Sequence, residues 1–207
     1  MYIHRNIMDS LRYPLKNWVK LIILGVILLI PIVNLIGLGY CLKAIRSTFE
    51  GSNLLPGFDN MVELFLNGIK LFIVGLIYAV VPLILFIVAS IFGSLFLWLA
   101  IISAMAISIV AFMGIANMVY YNNDIGAALK YQEILETIST MGWGKYIIWW
   151  IILMFILTIT EVVVSIIGGV LLYYVLGFIF LAVGYGYLTL FQARSIALTF
   201  ASSKNHE

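Results

Sequence analysis

The longest uncharged stretch of this sequence runs from Leu71 to Asn123 and contains no Lys, Arg, Asp or Glu. At about 1.5 Å per helical residue, it is long enough to cross a hydrocarbon core of roughly 30 Å twice. Ser90, Gly93 and Ser94 lie near its midpoint and suit a tight turn. The stretch is therefore predicted to form a hairpin of two membrane-spanning helices.

The composition supports the same class of protein over the whole chain. Of the residues, 64% are apolar and 10% are charged, against roughly 45–50% and 25% in soluble domains. The remaining polar sequence is too short for a second domain, so residues 1–207 are predicted to form a single membrane domain. The net charge of +2 comes from scattered residues. The expected partner is therefore the lipid bilayer, and nucleic acid is not expected as a partner.

Amphipathic segments precede the apolar ones. Residues 2–13 and residues 59–70 each place apolar side chains on one helical face and charged side chains elsewhere. In the second segment the apolar face consists of Phe58, Met61, Val62, Phe65, Leu66 and Ile69. A third stripe runs from Tyr131 to Ile138. We predict that these three segments are helices lying in the membrane interface.

The amphipathic and apolar segments together indicate an internal repeat. The spacing from Asp9 to Lys20 equals that from Asp59 to Lys70, and both lysines open similar apolar runs. In the third unit, Gly168-Gly169 is the predicted turn. The repeats cover about residues 1–50, 51–123 and 124–200. The predicted fold is an all-α, polytopic membrane bundle of about five or six membrane helices, in which each interfacial helix leads into a hairpin.

The first apolar segment, residues 20–46, admits two interpretations. Its length suits a single crossing, but a chain that turns at Pro31–Asn34 would enter and leave the membrane on one side. The second arrangement places all 11 basic residues on one face, as the positive-inside rule favours. On this basis the short hairpin is the preferred prediction, with the termini and charged loops cytoplasmic in a multi-pass plasma-membrane protein.

A set of short motifs follows the first apolar segment. It comprises Gly39-Tyr40, Arg46, Gly51, Leu55-Pro56, Phe58, Phe65 and Gly68. At these residues the chain resembles the archaeal membrane family called domain of unknown function 4013, and the similarity in hydropathy covers nearly the whole chain. The resemblance implies an archaeal plasma-membrane protein with no assigned activity.

Two polar residues within apolar segments are candidate functional residues. Glu161 lies about 24 Å of helix beyond Lys145, and an acidic group at the bilayer centre costs roughly 2.5–3.5 kcal/mol on insertion scales. It is predicted to be protonated, paired or facing a cavity, as a structural residue or as an ion- or proton-coupling group. Asn34 lies at the proposed break in the first hairpin, where transporters bind substrates. A turn-forming role explains Asn34 equally well.

A stripe of small residues, Ala100, Ala104, Ser108, Ala111 and Gly114, is predicted to pack against another helix of the same chain.

The sequence predicts a protein without enzymatic activity. It lacks the motifs of hydrolases, P-loop proteins and metalloproteases, and its single cysteine, Cys41, excludes a cysteine metal cluster. No cofactor or metal is therefore expected. Two functions remain open: a transporter, channel-like protein or accessory subunit of one, and a membrane-organising or lipid-binding scaffold. A homo-oligomer or a partner in a membrane complex is possible with either.

Overall fold

The computed structural model describes residues 3–171 and 175–204, and every regular element within these ranges is a helix. The α-helices are α1 (Ile3–Arg12), α2 (Trp18–Leu29), α3 (Asn34–Phe49), α4 (Met61–Phe92), α5 (Ser94–Tyr120), α6 (Tyr131–Met141), α7 (Trp143–Leu171) and α8 (Val175–Lys204). Two short 3-10 helices, Pro14–Lys16 and Gly126–Leu129, connect α1 to α2 and α5 to α6. The predicted all-α class is confirmed.

Four of these helices, α4, α5, α7 and α8, are long and apolar enough to cross a membrane. Large apolar side chains cover their outer surfaces; Ile91 is 72% exposed, and Phe178 is 59% exposed. In water such surfaces would be costly, whereas in lipid they need no other cover. The chain is therefore an all-helical protein whose four long helices are compatible with a membrane bundle.

The hairpin predicted from the uncharged stretch turns at the expected place. α4 ends at Phe92 and α5 begins at Ser94, with Gly93 between them at φ +93°. A residue with a side chain would be strained in this left-handed conformation, whereas glycine adopts it freely. The Gly93 amide donates to the Ala89 carbonyl at 2.9 Å and closes the end of α4.

The second interfacial helix is not a separate element, and this part of the prediction is wrong. α4 continues from Met61 to Phe92 without a break. The buried residues of α4 are Leu64, Gly68, Leu71, Val74 and Tyr78, and their helical spacing continues unchanged on both sides of Lys70. No proline or capping residue interrupts this region, so the change from amphipathic to apolar sequence marks a change of environment along one helix.

Gly168-Gly169 was also predicted wrongly as a turn, because both glycines are helical within α7. A Cβ at Gly168 would overlap the side chain of Leu181 in α8. Gly168 therefore permits α7 and α8 to pack closely. The connection between the two helices lies between Leu171 and Val175, which includes residues outside the described ranges.

The first apolar segment turns back on itself. α2 ends at Leu29 and α3 begins at Asn34, and a Cβ at Gly37 would lie 2.6 Å from the Leu28 side chain. With 12 residues, α2 is only about 18 Å long. One straight helix across this segment is therefore excluded, although the number of membrane helices and the threefold repeat stay predictions.

The α2–α3 hairpin is held to the long helices by close backbone contacts. At Gly25 a Cβ would overlap the Ala182 carbonyl of α8, and at Gly186 a Cβ would lie 2.5 Å from the Leu21 carbonyl. Glycines at both positions of this crossing let α2 and α8 approach at backbone distance.

Candidate functional site at the charged end

The loop between α3 and α4, residues 50–60, organises one end of the bundle. Five of its backbone carbonyls accept hydrogen bonds from side chains of other elements. Arg194 donates to Ser52 O (2.8 Å), Tyr13 to Leu54 O (3.3 Å), Lys20 to Leu55 O (2.7 Å), Tyr40 to Pro56 O (2.8 Å) and Lys43 to Gly57 O (2.8 Å). An irregular backbone cannot pair these carbonyls with itself. The loop therefore ties α2, α3 and α8 together.

Apolar contacts hold the same loop from within. The Phe58 ring stacks on the Tyr40 ring with centroids 4.3 Å apart and an angle of 16° between the ring planes. Leu55 is 4% exposed and belongs to the core that surrounds Tyr40. Aromatic pairs of this kind add stability beyond the apolar area they bury. The loop is thus an anchored part of the structure.

α3 and α4 cross at two glycines directly beside this loop. A Cβ at Gly39 would overlap the Leu64 carbonyl, and a Cβ at Gly68 would overlap the Leu35 carbonyl. The two backbones are therefore in contact, and neither position accepts a side chain without separation of the helices.

Arg46 connects α3 to the end of α5. Its Nη1 donates to Asn122 Oδ1 at 3.0 Å and its Nη2 donates to the Val119 carbonyl at 3.2 Å. A cation is favourable at this position, because the last carbonyls of a helix carry partial negative charge. The residues of the sequence resemblance, Gly39, Tyr40, Arg46, Leu55, Pro56, Phe58 and Gly68, thus lie around one junction and support its structure.

Arg194 is the most deeply buried charge of this end, at 4% exposure. Its Nε lies 2.7 Å from Asp9 Oδ2, its Nη1 donates to Thr48 Oγ1 at 3.1 Å, and its Nη2 donates to Asn53 Oδ1 at 2.5 Å. The sequence does not mark Arg194 as a functional residue. Its partners lie far away in the chain, and no local pattern indicates them.

The Tyr13 ring covers the Arg194 guanidinium, and the Arg194 Cζ atom lies 4.9 Å from the centre of that ring. Burial raises the pKa of Tyr13 to about 12, while the positive charge of Arg194 acts in the opposite direction. Tyr13 therefore stays a neutral hydrogen-bond donor across the physiological pH range.

A second polar network attaches α1 to the long helices. Asn6 Nδ2 donates to Thr199 Oγ1 at 2.8 Å, and Ser195 Oγ donates to Asn6 Oδ1 at 3.0 Å. The Trp149 indole donates to Ser195 Oγ at 2.9 Å. α1 is a helix, as predicted, but its contact with the bundle includes polar as well as apolar groups.

A cleft of about 130 Å³ opens beside the α3–α4 loop. It is lined by Lys43, Arg46, Asp59, Glu63, Leu64, Asn67 and Asn123. Lys43 Nζ lies 3.2 Å from Asp59 Oδ2, and this contact lowers the pKa of Asp59. Asn123 Oδ1 is buried and has no hydrogen-bond partner among the described residues. The cleft therefore brings basic, acidic and amide side chains together at one place.

The structure places the two predicted polar residues, Glu161 and Asn34, on different helices. Glu161 lies on an exposed surface of α7, in a shallow groove lined by residues of that helix alone. Asn34 is the first residue of α3. No hydrogen bond in the described ranges joins them, and no group of three His, Cys, Asp or Glu residues there is placed to hold a metal ion.

These features define an all-helical membrane protein with an anchored, charged end. Residues 23–169 match the family described as a protein of unknown function (DUF4013). The match covers more than half of the chain, and the chain belongs to this family. The matched region includes the α3–α4 loop, the cleft and Glu161, but not Asp9 or Arg194. No curated protein and no solved structure matches the chain.

Proposed function

We propose that this protein is a lipid-binding membrane scaffold that acts by binding at its charged end. The observation that carries this proposal is the distribution of polar groups. The α3–α4 loop and the cleft of Lys43 and Glu63 collect charges at one end. Glu161, by contrast, lies on an outer surface of a single helix.

Transport through the bundle has less support from this arrangement. A substrate pathway requires polar groups that face a shared, wetted cavity, as at the broken helices of transporters. The groove at Glu161 is formed by α7 alone, and α2 and α8 meet at backbone distance at Gly25 and Gly186. These contacts favour a scaffold over a transporter or channel.

The proposal also states which side of the membrane the charged end faces and which partners and activities are not expected. The charged end faces the cytoplasm of a plasma membrane, because the positive-inside rule favours this side for its basic residues Lys20, Lys43, Arg46 and Arg194. Lys20, Lys43 and Arg194 are engaged by carbonyls of the chain itself, which argues against nucleic acid as a partner. The absence of a catalytic motif from the sequence supports a protein that is not an enzyme.

Lipid retention and solute flux together test this function. Protein extracted in a mild detergent is expected to carry bound phospholipid in native mass spectra, and proteoliposomes are expected to show no ion or proton flux above empty vesicles. Loss of all lipid under gentle extraction would contradict lipid binding. Ion or proton flux that is abolished by Glu161→Gln would contradict the scaffold proposal and support a coupled transporter.

A second candidate, an accessory subunit of a membrane complex, follows from the surface of α7. Glu161, Thr158 and Ser165 share one exposed groove. Polar groups on a lipid-facing surface are unfavourable, whereas a partner helix provides hydrogen bonds. The partner of α7 in this candidate is either a second copy of this protein or a different membrane protein.

Cross-linking in native membranes tests this second candidate. In a Cys41→Ala background, Glu161→Cys is expected to form an adduct with a neighbouring chain, and the mass of the adduct distinguishes a second copy from another protein. Val163→Cys, exposed on the same helix but outside the groove, is the matched control. Equal adduct yields from both positions would count against a specific partner.

A further inference from the structure

We propose that the cleft lined by Lys43, Arg46, Glu63 and Asn123 binds a phosphate ester that also carries a primary ammonium group. This chemistry occurs in the headgroup of phosphatidylethanolamine and in free phosphoethanolamine. The inference rests on the proposed lipid-binding function and names the class of ligand and its site.

The balance of charge in the cleft selects a ligand with both signs. Lys43 and Arg46 are one turn apart on α3, Asp59 belongs to the α3–α4 loop, and Glu63 lies in the first turn of α4. A simple anion would meet the two carboxylates, and a simple cation would meet the two basic groups. A zwitterion satisfies both sides of the cleft without leaving a net charge.

The basic side retains free donors for a phosphate. The Arg46 guanidinium has five N–H groups, and its hydrogen bonds to Asn122 and Val119 engage Nη1 and Nη2. Lys43 bonds to the Gly57 carbonyl and to Asp59, which leaves one of its three ammonium hydrogens free. A phosphate between these side chains would accept the remaining hydrogens in charge-assisted bonds.

The Glu63 carboxylate offers acceptors for an ammonium group. Its side chain is exposed and lines the cleft. Glu63 accepts a hydrogen bond from Asn60 through Oε2 and lines the same cleft as Asn67. A primary ammonium has three N–H donors and can pair with this carboxylate in a charge-assisted hydrogen bond. A trimethylated ammonium has no N–H and cannot.

The size and surroundings of the cleft agree with a headgroup. Its volume of about 130 Å³ is well below the roughly 300 Å³ of the smallest usual small-molecule pockets. Next to Glu63 and Asn67 on α4, Val62 is 69% exposed and Leu66 is 54% exposed. Acyl chains of a lipid bound in the cleft could lie along this apolar surface, which favours a lipid over a free ligand.

Native mass spectrometry with defined lipids tests the site. The detergent-solubilised protein is titrated with phosphatidylethanolamine, phosphatidylcholine and phosphatidylglycerol of identical acyl chains. Phosphatidylethanolamine is expected to bind roughly tenfold or more tightly than phosphatidylcholine, because a lost hydrogen bond to a charged group has about this effect. Equal binding of these two lipids would overturn the proposal.

Variants assign the preference to the cleft. Glu63→Gln removes the negative charge and is expected to lose the preference, whereas Glu63→Asp keeps a carboxylate and is expected to retain most of it. Glu136→Gln, at an exposed position of α6, is the matched charge control. Loss of preference in Glu136→Gln alone would assign binding elsewhere.

Competition by free phosphoethanolamine distinguishes the sources of the ligand. Displacement of the lipid at equal concentration would support the cleft chemistry and identify a soluble ligand, whereas displacement only at large excess would support a lipid. Retention of lipid without headgroup preference would contradict the cleft assignment and leave the scaffold intact. Absence of any bound lipid would remove the scaffold proposal as well.

Discussion

Arg194 Nε lies 2.7 Å from Asp9 Oδ2, a contact between residues that are 185 positions apart in the chain. It joins the first helix to the last, and the same guanidinium also holds the α3–α4 loop through Ser52 and Asn53. Because Arg194 is almost fully buried, these bonds must replace the water that the charge loses.

Removal of the Arg194 side chain is expected to destabilise the protein strongly. Arg194→Met removes the buried donor of Thr48, Ser52 and Asn53, and each acceptor left unsatisfied costs about 1–3 kcal/mol. Asp9 also loses its cationic partner, but its side chain is 36% exposed and can be hydrated. Asp9→Asn should cost less, because Arg194 keeps its bonds to Thr48, Ser52 and Asn53. Unfolding in detergent measures both effects. The exposed Arg12→Met is the control, and equal losses from Arg12→Met and Arg194→Met would contradict this account.

Glycine substitutions along α3 and α4 are expected to have opposite effects according to their contacts. Gly39→Ala places a methyl group on the Leu64 carbonyl and should cost about 1–3 kcal/mol through separation of the helices. Gly75→Ala meets no atom within 4 Å and should stabilise α4 by about 0.5–1 kcal/mol, since alanine favours helix over glycine. Melting temperatures in one detergent compare the two. A destabilised Gly75→Ala would show that this face of α4 is covered.

Substitutions in the small-residue stripe of α5 are expected to have different effects at Ser108 and at Ala104. The Trp150 indole donates to Ser108 Oγ at 3.2 Å, so Ser108→Ala should cost about 0.5–1.5 kcal/mol by removing the acceptor. Ala104 is exposed, and Ala104→Leu should be tolerated. Thermal stability in one detergent reports both changes. A large loss from Ala104→Leu would indicate that another chain packs on this surface.

The sidedness prediction can be tested with exposed positions. In a Cys41→Ala background, cysteines at His4 and Glu136 should react with a membrane-impermeant reagent only from the cytoplasmic side. A cysteine at Ser94, in the α4–α5 turn, should react only from the opposite side. This pattern is expected from the proposed topology, in which the positive-inside rule places the end with Lys20, Lys43, Arg46 and Arg194 in the cytoplasm. Labelling of the His4 and Glu136 positions from opposite sides would disprove the proposed topology.

Several features of the fold were predictable because their causes are local. The uncharged run of residues 71–123 and the turn at Gly93 depend on composition and on one left-handed backbone position. The break near Pro31 depends on a proline and on the distribution of charge. The residues of the family resemblance were also identified, although the sequence does not indicate that they meet around one loop.

Other features were decided by contacts between distant segments. The sequence does not show that α4 is continuous, because an amphipathic helix and the start of a membrane helix have the same local pattern when no residue separates them. It does not show whether Gly168 serves a turn or a helix contact, since glycine suits both.

The helical membrane class of this protein follows from its sequence, because periodicity and apolar length act within single segments. The surroundings of Arg194 and Glu161 depend on how those segments pack. A buried polar group is stable only beside partners that satisfy it, and for Arg194 those partners come from three separate parts of the chain. Whether a side chain such as Glu161 faces the core or the outside likewise depends on which helices pack beside it.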